Sequence, residues 1–158
     1  MPANPLRLAP ETIIGIIGAG TCDEKTAALA EEVGGLVAKR GAAMVCGGLG
    51  GVMEAAARGA FKNGGRTIGI LPGDDRRSAN PYISLPVVTD MGHARNVVIA
   101  RTAQGLVAIE GECGTLSEIA VALKIGKPVV ALGKWKTIEG VVSAENAEEA
   151  VEKIFNLI

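Results

Sequence analysis

Aromatic residues are almost missing from this chain: two Phe, one Trp and one Tyr in 158 residues. Single-stranded nucleic acid is held largely by stacking bases on aromatic faces, and the chain has no such platform. An excess of one charge is missing as well. Sixteen Lys and Arg stand against 17 Asp and Glu, scattered along the sequence, so the basic stripe of a duplex-binding surface is not there. No nucleic-acid partner is expected. No apolar run approaches the ~18 residues that cross a bilayer, and no membrane partner is expected either. Cys22, Cys46 and Cys113 have neither the pairing nor the spacing of a disulfide framework or zinc knuckle, so no metal site is anticipated. The opening "MPANPLRLAP" holds three prolines and no apolar core. It reads as a flexible arm over 1–10, neither signal peptide nor helix, ahead of one domain over 11–158. A cytoplasmic protein is the expectation.

What the chain does have is glycine, 22 residues of it, in a sequence that is 48% apolar. Short β-branched runs alternate with segments of helical spacing. Strands are expected at 12–18, 42–46, 66–71, 85–90, 105–110 and 128–133. Helices are expected at 23–40, 51–63, 94–103 and 115–126, with a last one from Ser143, read as its N-cap, to the end. Strands that are apolar throughout, alternating with helices, imply a parallel sheet covered on both faces. The fold class is therefore α/β: a single-domain, doubly wound, Rossmann-like parallel sheet with helices on both faces. The polar stretch 72–84 is long for such a domain and reads as a lid or binding loop.

In sheets of this kind ligands bind beyond the carboxyl ends of the strands, and the conspicuous loops all fall at that edge. "CGGLGGVM" places Gly47, Gly48, Gly50 and Gly51 between a strand and a helix. Bare backbone N–H groups at a helix N-terminus suit an oxyanion; a tight corner would also use glycine. "GAGT" repeats the theme with Gly18, Gly20 and Thr21, but Asp23 stands where the dinucleotide fingerprint needs its third glycine. A G-x-x-x-x-G-K-[ST] phosphate loop is absent. In "CGTLSEIA", Thr115 and Glu118 have the spacing of a capping box, which leaves Glu118 free to be a functional carboxylate as well. "DMGHARN" supplies the only histidine, His93, and Arg95, whose guanidinium can grip phosphate in bidentate fashion. The three cysteines each follow a strand. Small buried corner residues are one reading, a thiol-lined pocket the other.

"GGLGGVMEAA" and "GTLSEIA" at this spacing resemble the Lonely Guy family and its relatives, which include the molybdenum cofactor carrier proteins; the shorter, carrier-like branch is the closer match. Members often bear a lysine decarboxylase label, for which these residues offer no basis. The family pattern G-G-G-x-x-G-L-M-G falls on Cys46 to Glu54 and keeps Gly47, Gly48, Gly51 and Met53. The pattern P-G-G-x-G-T-x-E-E falls on Glu110 to Glu118 and keeps Gly111, Gly114, Thr115 and Glu118. Glu110, Glu112 and Ser117 depart from it. The segment M-H-x-R-K is represented by His93 and Arg95, with Asn96 in place of its lysine.

The resemblance implies that Arg95 and Glu118 form a catalytic pair. It also implies that Gly18, Gly20, Thr21, Gly47, Gly48, Gly50, Gly51, Met53, Gly114 and Thr115 hold a phosphorylated small molecule. The first functional reading is a nucleoside 5′-monophosphate phosphoribohydrolase that needs no cofactor and cleaves an N-glycosidic bond. The alternative is a non-catalytic carrier of the molybdenum cofactor, whose pterin bears a phosphate. A homo-oligomer, dimer or tetramer, is implied by the resemblance alone. Glu110 and Glu112 add negative charge beside a site meant for phosphate, a conflict the fold has to resolve.

Overall fold

The apolar runs form seven strands: β1 (Ile13–Gly18), β2 (Ala43–Cys46), β3 (Thr67–Leu71), β4 (Leu85–Val88), β5 (Gly105–Ile109), β6 (Val129–Leu132) and β7 (Val142–Ser143). The computed structural model describes residues 11–158, so the arm expected over 1–10 lies outside the described residues. Five helices of five residues or more connect the strands or close the chain: α1 (Glu24–Lys39), α2 (Val52–Lys62), α3 (Arg95–Thr102), α4 (Cys113–Lys124) and α5 (Ala147–Leu157). All six strand pairings are parallel, in the order β4-β3-β2-β1-β5-β6-β7. Ile14 pairs with Met44 on one side and Gly105 on the other.

Alternate residues of the central strands feed two cores. Ile14, Ile16, Met44, Cys46, Val107 and Ile109 pack beneath α1, α2 and α5. Ile17, Val45, Leu106 and Ala108 pack beneath α3 and α4 on the opposite face. The expected doubly wound sheet is therefore what forms, as a single α/β domain. Strand order reverses between β1 and β5, and this switch point is where such a sheet opens a crevice at its carboxyl edge.

Three local expectations need correction. A seventh strand, β7, follows Gly140 at the sheet edge. The last helix is capped by Asn146, whose side chain accepts the Glu149 N–H at 2.9 Å, while Ser143 belongs to β7. Helix α4 starts at Cys113, two residues early, so Thr115 and Glu118 face inward from its first two turns and form no capping box. The segment 72–84, expected as a lid or binding loop, is anchored to the glycine corner through Asn80. Asn80 is buried, its backbone N–H donates to Gly48 O at 2.9 Å, and its Nδ2 donates to Leu49 O at 2.9 Å. The segment buttresses the glycine corner from behind.

Candidate functional site

A cavity of about 160 Å³ opens between the carboxyl ends of β1 and β5. A cavity of about 150 Å³ takes a benzene-sized guest, so this one has room for a phosphate group or one ring; the remainder of a larger ligand would lie in the mouth. β1 contributes Ile17 and Gly18, and the turn after it Gly20. Gly47 closes the end of β2, and Met53 reaches in from the first turn of α2. Arg95, Asn96 and His93 come from α3 and the 3-10 turn before it. Gly114, Thr115 and Glu118 come from α4, with Glu112 at the rim.

Eight of the twelve anticipated site residues thus meet in one place: Gly18, Gly20, Gly47, Met53, Arg95, Gly114, Thr115 and Glu118. The other four do not line the cavity, and the structure gives a reason for three of them. Gly48 has φ +76°, and its N–H donates to Cys46 Sγ at 3.3 Å. Gly51 has φ +63° and lies so close to the β1 turn that a Cβ would collide with Ala19 O. Gly50 faces Gly20 across the same contact. Thr21 is exposed. Part of the glycine in "GGLGG" therefore lets two loops touch, and Val52 N–H donating to Ala19 O at 2.9 Å seals that contact. Gly47 is different: a Cβ there would collide with the Arg95 guanidinium.

Arg95 is held as a rigid part. Its Nη1 donates to Gly47 O and to Ile70 O, both at 2.6 Å. Its Nε is buried and has no hydrogen-bond partner among the described residues. Burial lowers the Arg95 pKa, with Glu118 and Cys46 pulling the other way. A guanidinium starts so far above neutrality that it keeps its charge. Glu118 is only 7% exposed and has no ion-pair or hydrogen-bond partner among the described residues. Burial pushes its pKa up to about 8, against the pull of Arg95. At pH 7 the carboxyl is therefore mostly neutral, and the cavity floor carries one net positive charge.

Helix ends reinforce that sign. The two longer helices that open onto the cavity, α2 and α4, start at Gly51 and Glu112 with no side-chain cap. Those that open elsewhere, α1 and α5, are capped by Asp23 and Asn146. Val52 N–H is spent on Ala19 O; the remaining uncapped first-turn N–H groups and the positive end of the helix dipole favour an anion.

The two glutamates that seemed to oppose phosphate are turned aside. Glu110 adopts φ +49°, its carboxylate lies against Gly133, and Trp135 Nε1–H donates to its carbonyl at 2.7 Å. Its side chain does not line the cavity. The Glu112 side chain is 92% exposed and lies 3.8 Å from Lys134. Two of the uncharged departures from the family patterns meet each other: Asn96 Nδ2 donates to Ser117 Oγ at 3.2 Å.

The thiol-lined pocket does not form. Cys46 is buried behind the glycine corner with its thiol pKa pushed up to about 12 by burial; Cys113 is exposed, and Cys22 packs against the core. None of the three lines the cavity, and no three His, Cys, Asp or Glu gather as metal ligands among the described residues. No described helix is long and apolar enough to cross a membrane. Sequence reasoning also missed Asn80 and Trp135, which hold the corners without touching the cavity.

The fold is a single Rossmann-like α/β domain with a glycine-lined crevice at the switch point of its sheet. The chain belongs to the SLOG cluster4 family, whose model matches residues 11–156. It is 49% identical over 138 residues to an uncharacterized protein of Archaeoglobus fulgidus, covering 87% of this chain and 91% of that one. The molybdenum cofactor binding protein of the phototrophic bacterium Rippkaea orientalis superposes with a TM-score of 0.88 at 33% identity, over 93% of this chain and 97% of that one. The molybdenum cofactor carrier protein of Chlamydomonas reinhardtii superposes with a TM-score of 0.84 at 33% identity, over 94% and 98%.

Proposed function

We propose that the crevice between β1 and β5 binds the phosphate end of a small cofactor, and that the chain is a binding or carrier protein for the molybdenum cofactor. The observation that supports this most is the floor of the crevice. One fixed guanidinium with an unpartnered Nε lies beside a carboxyl without charge, under two uncapped helix N-termini. An oxyanion there would meet donors on several sides, with the Glu112 carboxylate at the rim turned to solvent near Lys134. Full-length likeness to two proteins described as molybdenum cofactor binding or carrier proteins supports the cofactor's identity. The small cavity fits a ligand anchored by its phosphate, with the pterin in the mouth.

The retained Arg95 and Glu118 favour a second reading, hydrolysis of a nucleoside 5′-monophosphate. That chemistry builds positive charge on the ribose, and a fixed carboxylate would stabilise that charge or activate water. Ser117 is not a second acid, and the full-length likeness is to proteins described as cofactor binders or carriers, so binding is the better-supported reading. The test is equilibrium dialysis of the purified protein against molybdopterin, beside an assay for ribose 5-phosphate with a panel of monophosphates. Saturable pterin binding without ribose 5-phosphate release is expected. Turnover of any monophosphate with no pterin binding would reverse the order of the two readings.

A further inference from the structure

Glu118 is more than nine-tenths buried, lines the cavity, and has no cation within 4 Å among the described residues. Arg95 forms no ion pair with it: Nη1 bonds Gly47 O and Ile70 O, Nε is unpartnered, and the guanidinium acts on Glu118 only through its charge. A buried carboxylate with neither pair nor donor gives up its charge by taking a proton. We propose that Glu118 meets the ligand as a neutral carboxylic acid and donates its O–H to an oxyanion held against Arg95, so that anion and proton occupy the site together. This rests on the anion-site reading above and adds to it a protonation state and a mode of release. The ligand end in the crevice is an oxyanion of the phosphate or sulfate type, and alkali discharges it.

The surrounding charges agree with that assignment. On β2 the Cys46 thiol stays neutral, its pKa raised by burial. On α3 Arg95 is the single fixed cation of the floor. At the start of α4, Glu112 points to solvent near Lys134. His93 lies exposed at the rim, and β1 presents only Ile17 and Gly18. An O–H donated to an anionic oxygen is a strong, charge-assisted bond. Once ionised, the same group would set two negative charges side by side beneath Arg95.

Sulfate, which keeps one charge state across the range, is the probe. Its dissociation constant is measured by calorimetry from pH 6 to 9.5 for the wild type and for Glu118→Gln, whose amide can donate at every pH. His93, Glu112 and Arg95 are common to both proteins, so the ratio of the two constants isolates Glu118. Wild-type binding is expected to weaken relative to the variant above pH 8, by about tenfold per unit. In buffers of different ionisation enthalpy at pH 9, the wild type is expected to take up nearly one proton per sulfate bound, a readout that needs no variant. Parallel weakening of the two proteins with no proton uptake overturns the linkage and leaves the anion site standing. No sulfate binding by either protein at any pH removes the anion site, and the linkage with it.

Discussion

Replacing Glu118 by Gln tests the electrostatics of the crevice with no ligand present. The Glu118 pKa rises from 4.5 to about 8 because folding strips the carboxyl of water. Between those values the folded chain holds a proton that the unfolded chain has released. Stability contributed by this group is therefore complete below pH 4.5 and is lost as pH rises through about 8. At about 1.4 kcal/mol per unit the whole span amounts to about 5 kcal/mol, a large part of a typical domain's stability of roughly 5–15 kcal/mol. Glutamine keeps the shape and cannot ionise. Urea unfolding at fixed protein concentration, every half unit from pH 5 to 9, gives the difference between variant and wild type. That difference is expected to move in favour of the variant by about 1.4 kcal/mol per unit up to pH 8 and then level off. A flat difference across the range would mean that Glu118 is ionised in the folded chain, and the reasoning about its burial would fail.

Other outcomes follow from single contacts. Arg95→Lys keeps a charge but cannot both bond Gly47 O and Ile70 O and present a second edge to a ligand; sulfate affinity should fall tenfold or more, and an unchanged affinity would remove Arg95 from the site. Gly51→Ala forces a side chain onto Ala19 O at φ +63°, and a loss of at least ~1–3 kcal/mol by urea unfolding is expected; a neutral result would show that the two loops do not touch. Asn80→Ala removes the bond to Leu49 O and should cost about 1 kcal/mol, with faster hydrogen exchange at Leu49 and Gly50; unchanged exchange there would deny the buttress. Ser117→Glu places a carboxylate against Asn96 near the crevice and should weaken sulfate binding, with Asn96→Lys restoring part of it. Additive effects would show that the two positions are uncoupled.

The sheet was legible because each central strand is an apolar run buried on both faces, and because Gly41, Gly64 and Gly126 stop helices where helical spacing ends. β7 was not legible, since two residues at an edge carry no period. Thr115 and Glu118 show a subtler limit. A spacing of three serves a capping box and an inward helix face alike. What decides between them is the corner at Gly111, φ +109°, packed against Thr115, which starts the helix two residues sooner. The cysteines illustrate the pleat: following a strand places a residue at the right edge, but Cys46 points to the α1–α2 core instead of the crevice. The route of 72–84 depends on long-range bonds from Asn80, which no local pattern announces. Glycine's role was half legible. The sequence marks close approach at Gly47 and Gly51, whereas only the packed structure distinguishes a ligand, a guanidinium and a neighbouring loop as the thing approached.

A structure of the protein with bound molybdopterin tests the central claim most directly. The account predicts the phosphate in the crevice between β1 and β5, within hydrogen-bonding distance of Arg95 and Glu118 and facing the first turns of α2 and α4, with the pterin in the mouth. A pterin bound elsewhere, or a crevice whose donors turn inward and leave the phosphate outside, would contradict it.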